Sequence, residues 1–282
     1  KKEIVVLLVD EYDYPLLHNL DNLEVASQIR EIVGGFFSVI KSLDGQGLIQ
    51  AVFITGVTKF AKVTLFSGMN NLNDLSIDSQ AATLLGYTEK ELVDNFGEYI
   101  KDFAETKNIS SSQMVDLIRE QYNGYRFSDK EVTVYNPWSA LLSLDQKKLH
   151  DYWVSTGAPT FLIKLLKDQF DQIDTLEQKK MYINSLESFS IEKINVIAVM
   201  FQAGYLTIKG YFEDEKCFVL GFPIKEVREA VALYGIKALS HATDEVAHSA
   251  AHQCRKMLEA NDLEGFFITF KRLISSIPYK LH

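Results

Sequence analysis

The stretch Ile4-Val-Val-Leu-Leu-Val-Asp10-Glu11 decides the fold, because six apolar residues in succession run into two adjacent carboxylates. An apolar run without polar alternation is typical of a strand buried on both faces, as in a parallel sheet covered by helices. Ligands of such sheets bind just beyond the carboxyl ends of the strands. The sequence therefore predicts an α/β fold in which Asp10 and Glu11 lie at the ligand-binding edge of a parallel sheet.

Adjacent acids at such an edge have a defined chemical use. An aspartate at the position of Asp10 can hold Mg²⁺, often through water, and the following Glu11 can polarise an attacking water molecule. This is the layout of the second nucleotide-binding motif (Walker B) of P-loop ATPases. A buried strand whose exit is capped by acids for the next turn or helix is the alternative interpretation, and the motif alone leaves it open.

A helical segment and a second apolar strand follow. Apolar residues recur at helical spacing from Leu23 to Leu43, and Leu48–Ile54 is an apolar run closed by the polar residue Thr55. Strand, helix and strand form a βαβ unit, whose two strands lie parallel in one sheet. We therefore expect Thr55 to lie near Asp10.

Composition limits the classes of function. The 282 residues are 47% hydrophobic, which suits a packed core, and the length favours two or three domains. The net charge of −9 excludes a global basic field that would attract nucleic acid or acidic lipid. Cys217 and Cys254 lie far apart without metal-ligand spacing, and no apolar stretch approaches the roughly 20 residues that span a bilayer. We expect a cytoplasmic protein with no membrane partner.

The middle of the sequence is predicted to be helical, in short pieces. Thr88 and Glu91 form a capping box, which marks the start of one helix. Tyr122–Phe127 is predicted to be a tight turn with Gly124 at its sharpest point, and Val132–Tyr135 a short strand. The predicted helices are Thr88–Ala104, Ser110–Tyr122 and Pro137–Leu144.

Residues 185–235 are predicted to form a distinct unit. A helix at Ser190–Ala203 precedes two strands, Tyr205–Lys209 and Lys216–Leu220, and this order is the layout of a winged helix. The tip between the strands, Glu213–Glu215, is acidic, which argues against contact with nucleic-acid phosphates. From Pro223 to about residue 270 the pattern is helical again.

Seven stretches of the sequence, taken in order, carry a resemblance to one family. They are Val6–Leu16, Phe53–Leu72, Tyr122–Phe127, Val134–Ser139, Tyr152–Thr160, Ala203–Ile208 and Leu220–Arg228. The set is similar to the bacterial AAA-ATPase-like family, whose members often carry a PD-(D/E)xK nuclease domain at the C-terminus. The resemblance covers nearly the whole chain, and an ordered series of this kind is more specific than any single motif.

The resemblance implies a fold, an activity and partners. It implies a parallel-sheet P-loop NTPase core in residues 1–75, a helical lid region in 76–184, a winged-helix-like domain in 185–235 and a helical connector in 236–282. The implied activity is a Mg²⁺-dependent ATP-hydrolysing switch that regulates a C-terminal nuclease-like effector. A non-hydrolysing nucleotide-binding scaffold and a winged-helix nucleic-acid-binding module are the alternatives. Homo-oligomers, and nucleic acid bound through the nuclease domain, are further partners that the family suggests.

Two chemical parts of that family are absent from these residues. No Gly-x-x-x-x-Gly-Lys-Ser/Thr loop (Walker A) occurs, so the phosphate-binding loop and the first strand are expected upstream of Lys1. The catalytic residues of the nuclease are expected downstream of His282. Both ends of the sequence look cut, and these residues alone are expected neither to hold ATP tightly nor to cut nucleic acid.

The candidate site residues differ in how strongly the sequence supports them. Asp10 is assigned to Mg²⁺ and Glu11 to the attacking water. Thr55 is a candidate sensor of the γ-phosphate, with simple strand capping as the alternative. Lys59 could contact phosphate or act across a subunit boundary, and a solvated loop lysine is the alternative. Asp13 is interpreted as a turn or cap residue, because a proline follows two positions later.

Two further nucleotide contacts are suggested by the region downstream. Arg126 is a candidate lid arginine, and cation–π packing on its neighbours Tyr125 and Phe127 is the alternative. Pro159, in Thr156-Gly-Ala-Pro159, resembles the Gly-x-Pro lid element of signal-transducing NTPases, in which the proline packs against the base. A helix start explains Pro159 equally well.

Overall fold

The computed structural model describes residues 4–20, 22–59, 69, 72–153, 162, 176–187, 194–240 and 244–275. The α/β class is confirmed, with helices, a small parallel sheet and small antiparallel sheets. The chain divides into two compact units. The first comprises Lys1–His150 and Thr175–Ile224, and the second comprises Asp151–Asp174 and Lys225–His282.

The first unit opens with the predicted βαβ arrangement. Its strands β1 and β2 are parallel, with Val9 opposite Ile54 at the carboxyl end. Helix α2 between them begins after Asn22, whose side-chain oxygen accepts a hydrogen bond from the amide of Val25 (3.2 Å). The elements are β1 (Val5–Val9), α1 (Tyr14–Leu17), α2 (Leu23–Gly45) and β2 (Ile49–Ile54).

In the described residues, one face of this strand pair packs against a core and is partly buried while the other is exposed, so the predicted burial on both faces is not observed. Leu7 and Val9 of β1 pack against a cluster formed by Phe37, Ile40 and Met69. The alternate residues point away from that cluster, and Leu8 of β1 is 72% exposed. The apolar run correctly predicted a strand, and both of its faces carry apolar side chains. The run did not indicate which elements pack against each face.

Three helices follow in the described residues, and each begins within one residue of its predicted start. Thr88 and Glu91 form the expected reciprocal capping box, and Ser110 forms a second one with Gln113. The side chain of Asn136 caps the third helix by accepting from the amide of Ser139 (3.0 Å). The helices are α3 (Glu89–Lys107), α4 (Ser111–Tyr122) and α5 (Pro137–Gln146).

The segment around Gly124 is a strand, not the predicted tight turn. Strand β3 (Asn123–Tyr125) pairs antiparallel with β4 (Val134–Tyr135). A Cβ atom at Gly124 would lie 2.1 Å from the carbonyl oxygen of Pro223, so the glycine permits a close backbone approach. The prediction that Gly124 occupies a position that requires glycine is correct, and the prediction of a tight turn is wrong.

A three-stranded antiparallel sheet completes the first unit, in the order β5–β7–β6. The hairpin of β6 and β7 was predicted, whereas β5 was not. Central strand β7 is buried along its whole length. The elements are β5 (Lys179–Tyr182), α6 (Ile183–Glu187), α7 (Val196–Gln202), β6 (Thr207–Phe212) and β7 (Cys217–Gly221).

The described part of the second unit is mainly helical, as predicted. Its helices are α8 (Lys225–Ser240), α9 (Asp244–Glu259) and α10 (Leu263–Ser275). Within the described ranges of both units, no helix is both long enough and apolar enough to cross a membrane.

Candidate functional site

The carboxyl ends of β1 and β2 bring three of the predicted site residues together. The register places Thr55 beside Asp10, since the amide of Thr55 donates to the carbonyl of Val9 (2.8 Å). The Thr55 hydroxyl donates to Oδ1 of Asp10 and accepts from the amide of Glu11 (3.2 Å). Asp10, Glu11 and Thr55 therefore form one hydrogen-bonded group, which we call the acidic edge.

The backbone at the acidic edge is unusual. Glu11 has φ of 50°, in the left-handed region, which non-glycine residues occupy at a cost of about 1–3 kcal/mol. The amide of the next residue, Tyr12, donates to the carbonyl of Thr55 (3.0 Å) and helps to hold this conformation. The side chains of Asp10 and Glu11 are both exposed at this turn, so solutes can reach them.

The donor set of the acidic edge suits a hard cation. Mg²⁺ usually keeps several waters and takes one or two protein carboxylates together with substrate phosphates. The exposed carboxylate of Asp10 beside the hydroxyl of Thr55 supplies oxygen ligands of that kind. Among the described residues, no group of three or more His, Cys, Asp and Glu side chains is arranged as an all-protein metal site.

Asp13 is fully buried, which the sequence did not indicate. Its backbone carbonyl accepts from the amides of Leu16 and Leu17 at the start of α1, as a cap residue would. Its side chain does not cap that helix. The carboxylate instead accepts from the amide of Val57 (3.1 Å) and from the amide and hydroxyl of Thr58 (both 2.6 Å). The cap interpretation is correct for the main chain and incomplete for the side chain.

Lys59 is half-buried and has two partners in the first unit. Its ammonium forms an ion pair with Asp74 (2.9 Å), so the solvated loop lysine of the alternative interpretation is not observed. Its amide donates to the side-chain oxygen of Gln202 on α7 (2.6 Å). Gln202 in turn donates to the carbonyl of Leu186 (2.7 Å). The segment after β2 is thereby joined to α7, the helix that lies between β5 and β6 in the chain.

A cavity of about 370 Å³ lies beside this ion pair. Its lining combines charged side chains with the rings of two sheet residues. Lys59, Asp74, Asp78, Asp129, Tyr211 and Phe218 contribute to the lining. Lys59 and its ion pair with Asp74 therefore border a polar opening.

Arg126 is buried, and its guanidinium is used within its own turn. It donates to the carbonyl oxygens of Ser128 (3.0 Å) and Asp129. The flanking rings of Tyr125 and Phe127 stack on each other at 6.3 Å. This arrangement of Arg126 is neither the nucleotide contact of a lid arginine nor the cation–π packing on Tyr125 and Phe127 that the sequence suggested. Pro159, with Thr156–Pro159, lies outside the described residues.

A charged cluster farther along the first unit stabilises helices and is separate from the acidic edge in sequence. Arg119 of α4 forms a bidentate ion pair with Glu89 of α3, in which Nη2 of Arg119 lies 2.8 Å from Oε1 of Glu89. The hydroxyl of Tyr135 donates to Oε2 of Glu89 (3.0 Å). The hydrogen bond from Arg119 holds the pKa of Glu89 below its ordinary value. Burial, together with the hydrogen bond to Glu89, raises the pKa of Tyr135 to about 12.

Comparison with known proteins finds a family match for the segment that contains the acidic edge. Residues 1–66 match the AAA-ATPase-like family, described as predicted AAA-ATPase. That range contains β1, α2, β2 and the residues Asp10, Glu11, Thr55 and Lys59.

A curated relative matches along nearly the whole chain. It is described as "Uncharacterized protein in vnfD 5'region", from Azotobacter chroococcum mcd 1, and is 36% identical over 282 residues. The match covers 98% of this chain and 51% of the relative, so the chain spans about half the length of the curated relative it matches. No solved structure matches the chain.

Proposed function

We propose that this chain carries the Mg²⁺-binding and water-activating edge of a P-loop ATPase. The observation that carries the proposal is the hydrogen-bonded group of Asp10, Glu11 and Thr55 at the carboxyl ends of two parallel strands. Ligands of parallel sheets bind at that edge. The match of residues 1–66 to the predicted AAA-ATPase family supports the same assignment.

Each residue of the acidic edge has a role in this proposal. Asp10 holds the cation through its exposed carboxylate, and Thr55 orients that carboxylate by donating to one of its oxygens. Glu11 orients the attacking water and polarises it by accepting a hydrogen bond. Bound Mg²⁺ would neutralise charge on the phosphate oxygens during transfer. In this proposal Thr55 also senses the γ-phosphate, because a shift of its hydroxyl would change its bonds to Asp10 and Glu11.

Lys59 has a conditional role. Neutralisation of transition-state charge by Lys59, in its own subunit or across a homo-oligomer boundary, requires the ion pair with Asp74 to open. Its backbone link to Gln202 offers a route by which the state of the acidic edge reaches α7 and the hairpin of β6 and β7. We propose that this part of the first unit acts as a winged-helix-like relay, and that residues 76–184 form a lid.

The output of the switch is also a proposal. The resemblance to the AAA-ATPase-like family suggests a cytoplasmic ATP-hydrolysing switch that regulates a nuclease-like effector. The acidic hairpin tip, in which Glu215 pairs with Lys180 (2.9 Å), does not favour direct binding of nucleic acid by the hairpin. We therefore place nucleic-acid contact, if the protein makes any, in the effector.

Substitution of Glu11 tests the proposed function. In the full-length protein, Glu11→Gln removes the water-polarising carboxylate and is expected to lower kcat for ATP hydrolysis roughly 10²–10⁴-fold, the usual contribution of such a group. The matched control is Glu31→Gln on α2, an exposed glutamate remote in sequence from the edge. Steady-state release of phosphate at several Mg²⁺ concentrations measures both.

The outcomes separate the proposal from its rivals. Equal turnover of the Glu11→Gln and Glu31→Gln proteins would contradict the catalytic assignment. Binding of labelled ATP without turnover in the wild-type protein would favour a non-hydrolysing scaffold. A salt-dependent mobility shift with duplex DNA that persists in Glu11→Gln would favour a nucleic-acid-binding module.

A further inference from the structure

The buried carboxylate of Asp13 follows the acidic edge in the turn after β1. Its side chain has no solvent exposure, and a buried carboxylate is costly unless hydrogen bonds satisfy it. Three donors do so, and all three come from Val57 and Thr58, on the segment that follows β2. Hydrogen bonds to an ionised acceptor are among the strongest in proteins. Asp13 therefore ties the turn after β1 firmly to the segment after β2.

Further contacts pack the turn after β1 closely against the segment after β2. The hydroxyl of Tyr12 donates to the carbonyl of Thr58 (2.8 Å). A Cβ atom placed on Gly56 would lie 2.6 Å from Oδ1 of Asp13 and 2.6 Å from the ring of Tyr12. Because real Cβ atoms do not approach other atoms so closely, only glycine lets the segment after β2 rest against Asp13.

The Asp13 contacts and the acidic edge belong to the same two short stretches of chain. Asp10 precedes Asp13 by three residues, and Thr55 precedes Thr58 by three. One pair of ends is joined by the bond from Thr55 to Asp10, and the other by the bonds from Thr58 to Asp13. The second pair of contacts therefore lies within three residues of the first along both stretches of chain.

We infer that Asp13 is a positioning residue for the proposed hydrolysis. Its carboxylate fixes the segment after β2, and thereby holds the Thr55 hydroxyl on Asp10 in the geometry that the cation and the attacking water need. Asp13 is not itself a ligand of the cation, because it is buried and both of its oxygens already accept hydrogen bonds. This inference rests on the proposed function.

Two substitutions in the full-length protein test the inference. Asp13→Asn keeps the size of the side chain but turns one acceptor into a donor that faces the donors of Val57 and Thr58. Thr58→Val removes one of the three donors and keeps the buried shape, while Thr58→Ser keeps the hydroxyl. Asp102→Asn, at an exposed position on α3, is the matched control for the loss of a carboxylate.

Amide hydrogen exchange without nucleotide is the first readout. Asp13→Asn is expected to speed exchange at the amides of Val57 and Thr58 about tenfold or more, because their acceptor is lost. Exchange at Thr55 is expected to rise as well, since the clamp holds that residue in place. Asp102→Asn is expected to leave all three amides unchanged.

Steady-state ATP hydrolysis is the second readout. Misplacement of a catalytic group by about 1 Å can cost a hundredfold, so Asp13→Asn is expected to lower kcat per folded molecule roughly tenfold to a hundredfold. KM for ATP is expected to change less than about threefold, because Asp13 does not touch the nucleotide. Thr58→Val is expected to lower kcat about threefold to tenfold, and Thr58→Ser to restore most of it.

Each outcome decides the inference. A fall in stability with unchanged kcat per folded molecule would make Asp13 a purely structural residue and overturn the inference. Equal kcat values for Thr58→Val and Thr58→Ser would also overturn it, and this pair decides the matter if Asp13→Asn does not fold. Should Glu11→Gln hydrolyse ATP normally, the proposed function fails instead. Separately, an amide exchange rate at Thr55 that is the same in the Asp13→Asn and wild-type proteins would overturn the inference.

Discussion

Strands β1 and β7 look alike in sequence and differ in the structure. Both are runs of five apolar or small residues, Val5–Val9 in one case and Cys217–Gly221 in the other. Every residue of β7 is buried, and the strand lies between two antiparallel neighbours. In β1, by contrast, Leu8 is 72% exposed and one face alone contacts the core.

The difference shows what an apolar run can and cannot report. A run without alternation indicates that both faces of a strand carry apolar side chains. Whether both faces are covered depends on which other elements pack there, and the strand itself does not encode those elements. In β7 every residue is buried, and the strand pairs with β5 on one side and β6 on the other. In β1 the cluster around Phe37 packs against one face.

The largest effect that would test this comparison comes from one substitution made in both strands. Leu220 of β7 has no exposure, so Leu220→Ala is expected to cost about 2–5 kcal/mol of unfolding free energy through lost burial and a cavity. Leu8→Ala in β1, the matched control, is expected to cost less than about 1 kcal/mol. Urea denaturation measures both, and equal losses would contradict the contrast between the strands.

A smaller effect concerns the carboxyl end of the parallel pair, which is tight although one face is open. Gly56→Ala forces its new Cβ against Asp13 and Tyr12, so a loss of about 1–3 kcal/mol of unfolding free energy is expected. Gly35→Ala is the control, because a Cβ atom there meets nothing within 4 Å in the interior of α2. It is expected to stabilise the protein by about 0.5–1 kcal/mol. A neutral Gly56→Ala would show that the edge can relax.

The smallest effect concerns a charge pair outside both strands, and it depends on pH. The folded state lowers the pKa of Glu89 from its ordinary value of 4.5, so Glu89 stabilises the protein above that pH and loses this contribution as the pH falls through the lowered pKa. Glu89→Gln is therefore expected to cost less than about 1 kcal/mol at pH 7, because the pair with Arg119 is partly exposed.

Thermal unfolding between pH 3 and 7 measures that dependence. The difference between the wild-type protein and Glu89→Gln is expected to stay constant near neutral pH and to shrink in acid. Glu98→Gln, an exposed position on the same helix, is the control and is expected to show no such trend. A difference that grows as the pH falls would contradict the direction of the shift.

Local signals in the sequence predicted much of the fold correctly. The capping box of Thr88 with Glu91 marked the start of α3, and the helical spacing after Leu23 marked α2. The order of strand, helix and strand predicted that Thr55 lies near Asp10, and the two side chains are hydrogen-bonded. These features depend on residues close in sequence or on a general rule of chain connection, and such information is present in the sequence itself.

Features that depend on contacts between distant residues emerged only in three dimensions. The burial of Asp13 and its three donors involve residues 44 and 45 positions away, and no spacing pattern announces such a pair. Lys59 meets Gln202 across 143 positions, and Gly124 meets Pro223 across 99 positions. The sequence alone decided the helices whose capping and spacing signals are local, and that two acids follow the first strand. Packing decided which side chains are buried, which charged side chains form pairs and which are exposed to solvent. Burial and hydrogen bonding are properties of the surroundings of a residue, and distant parts of the chain supply those surroundings.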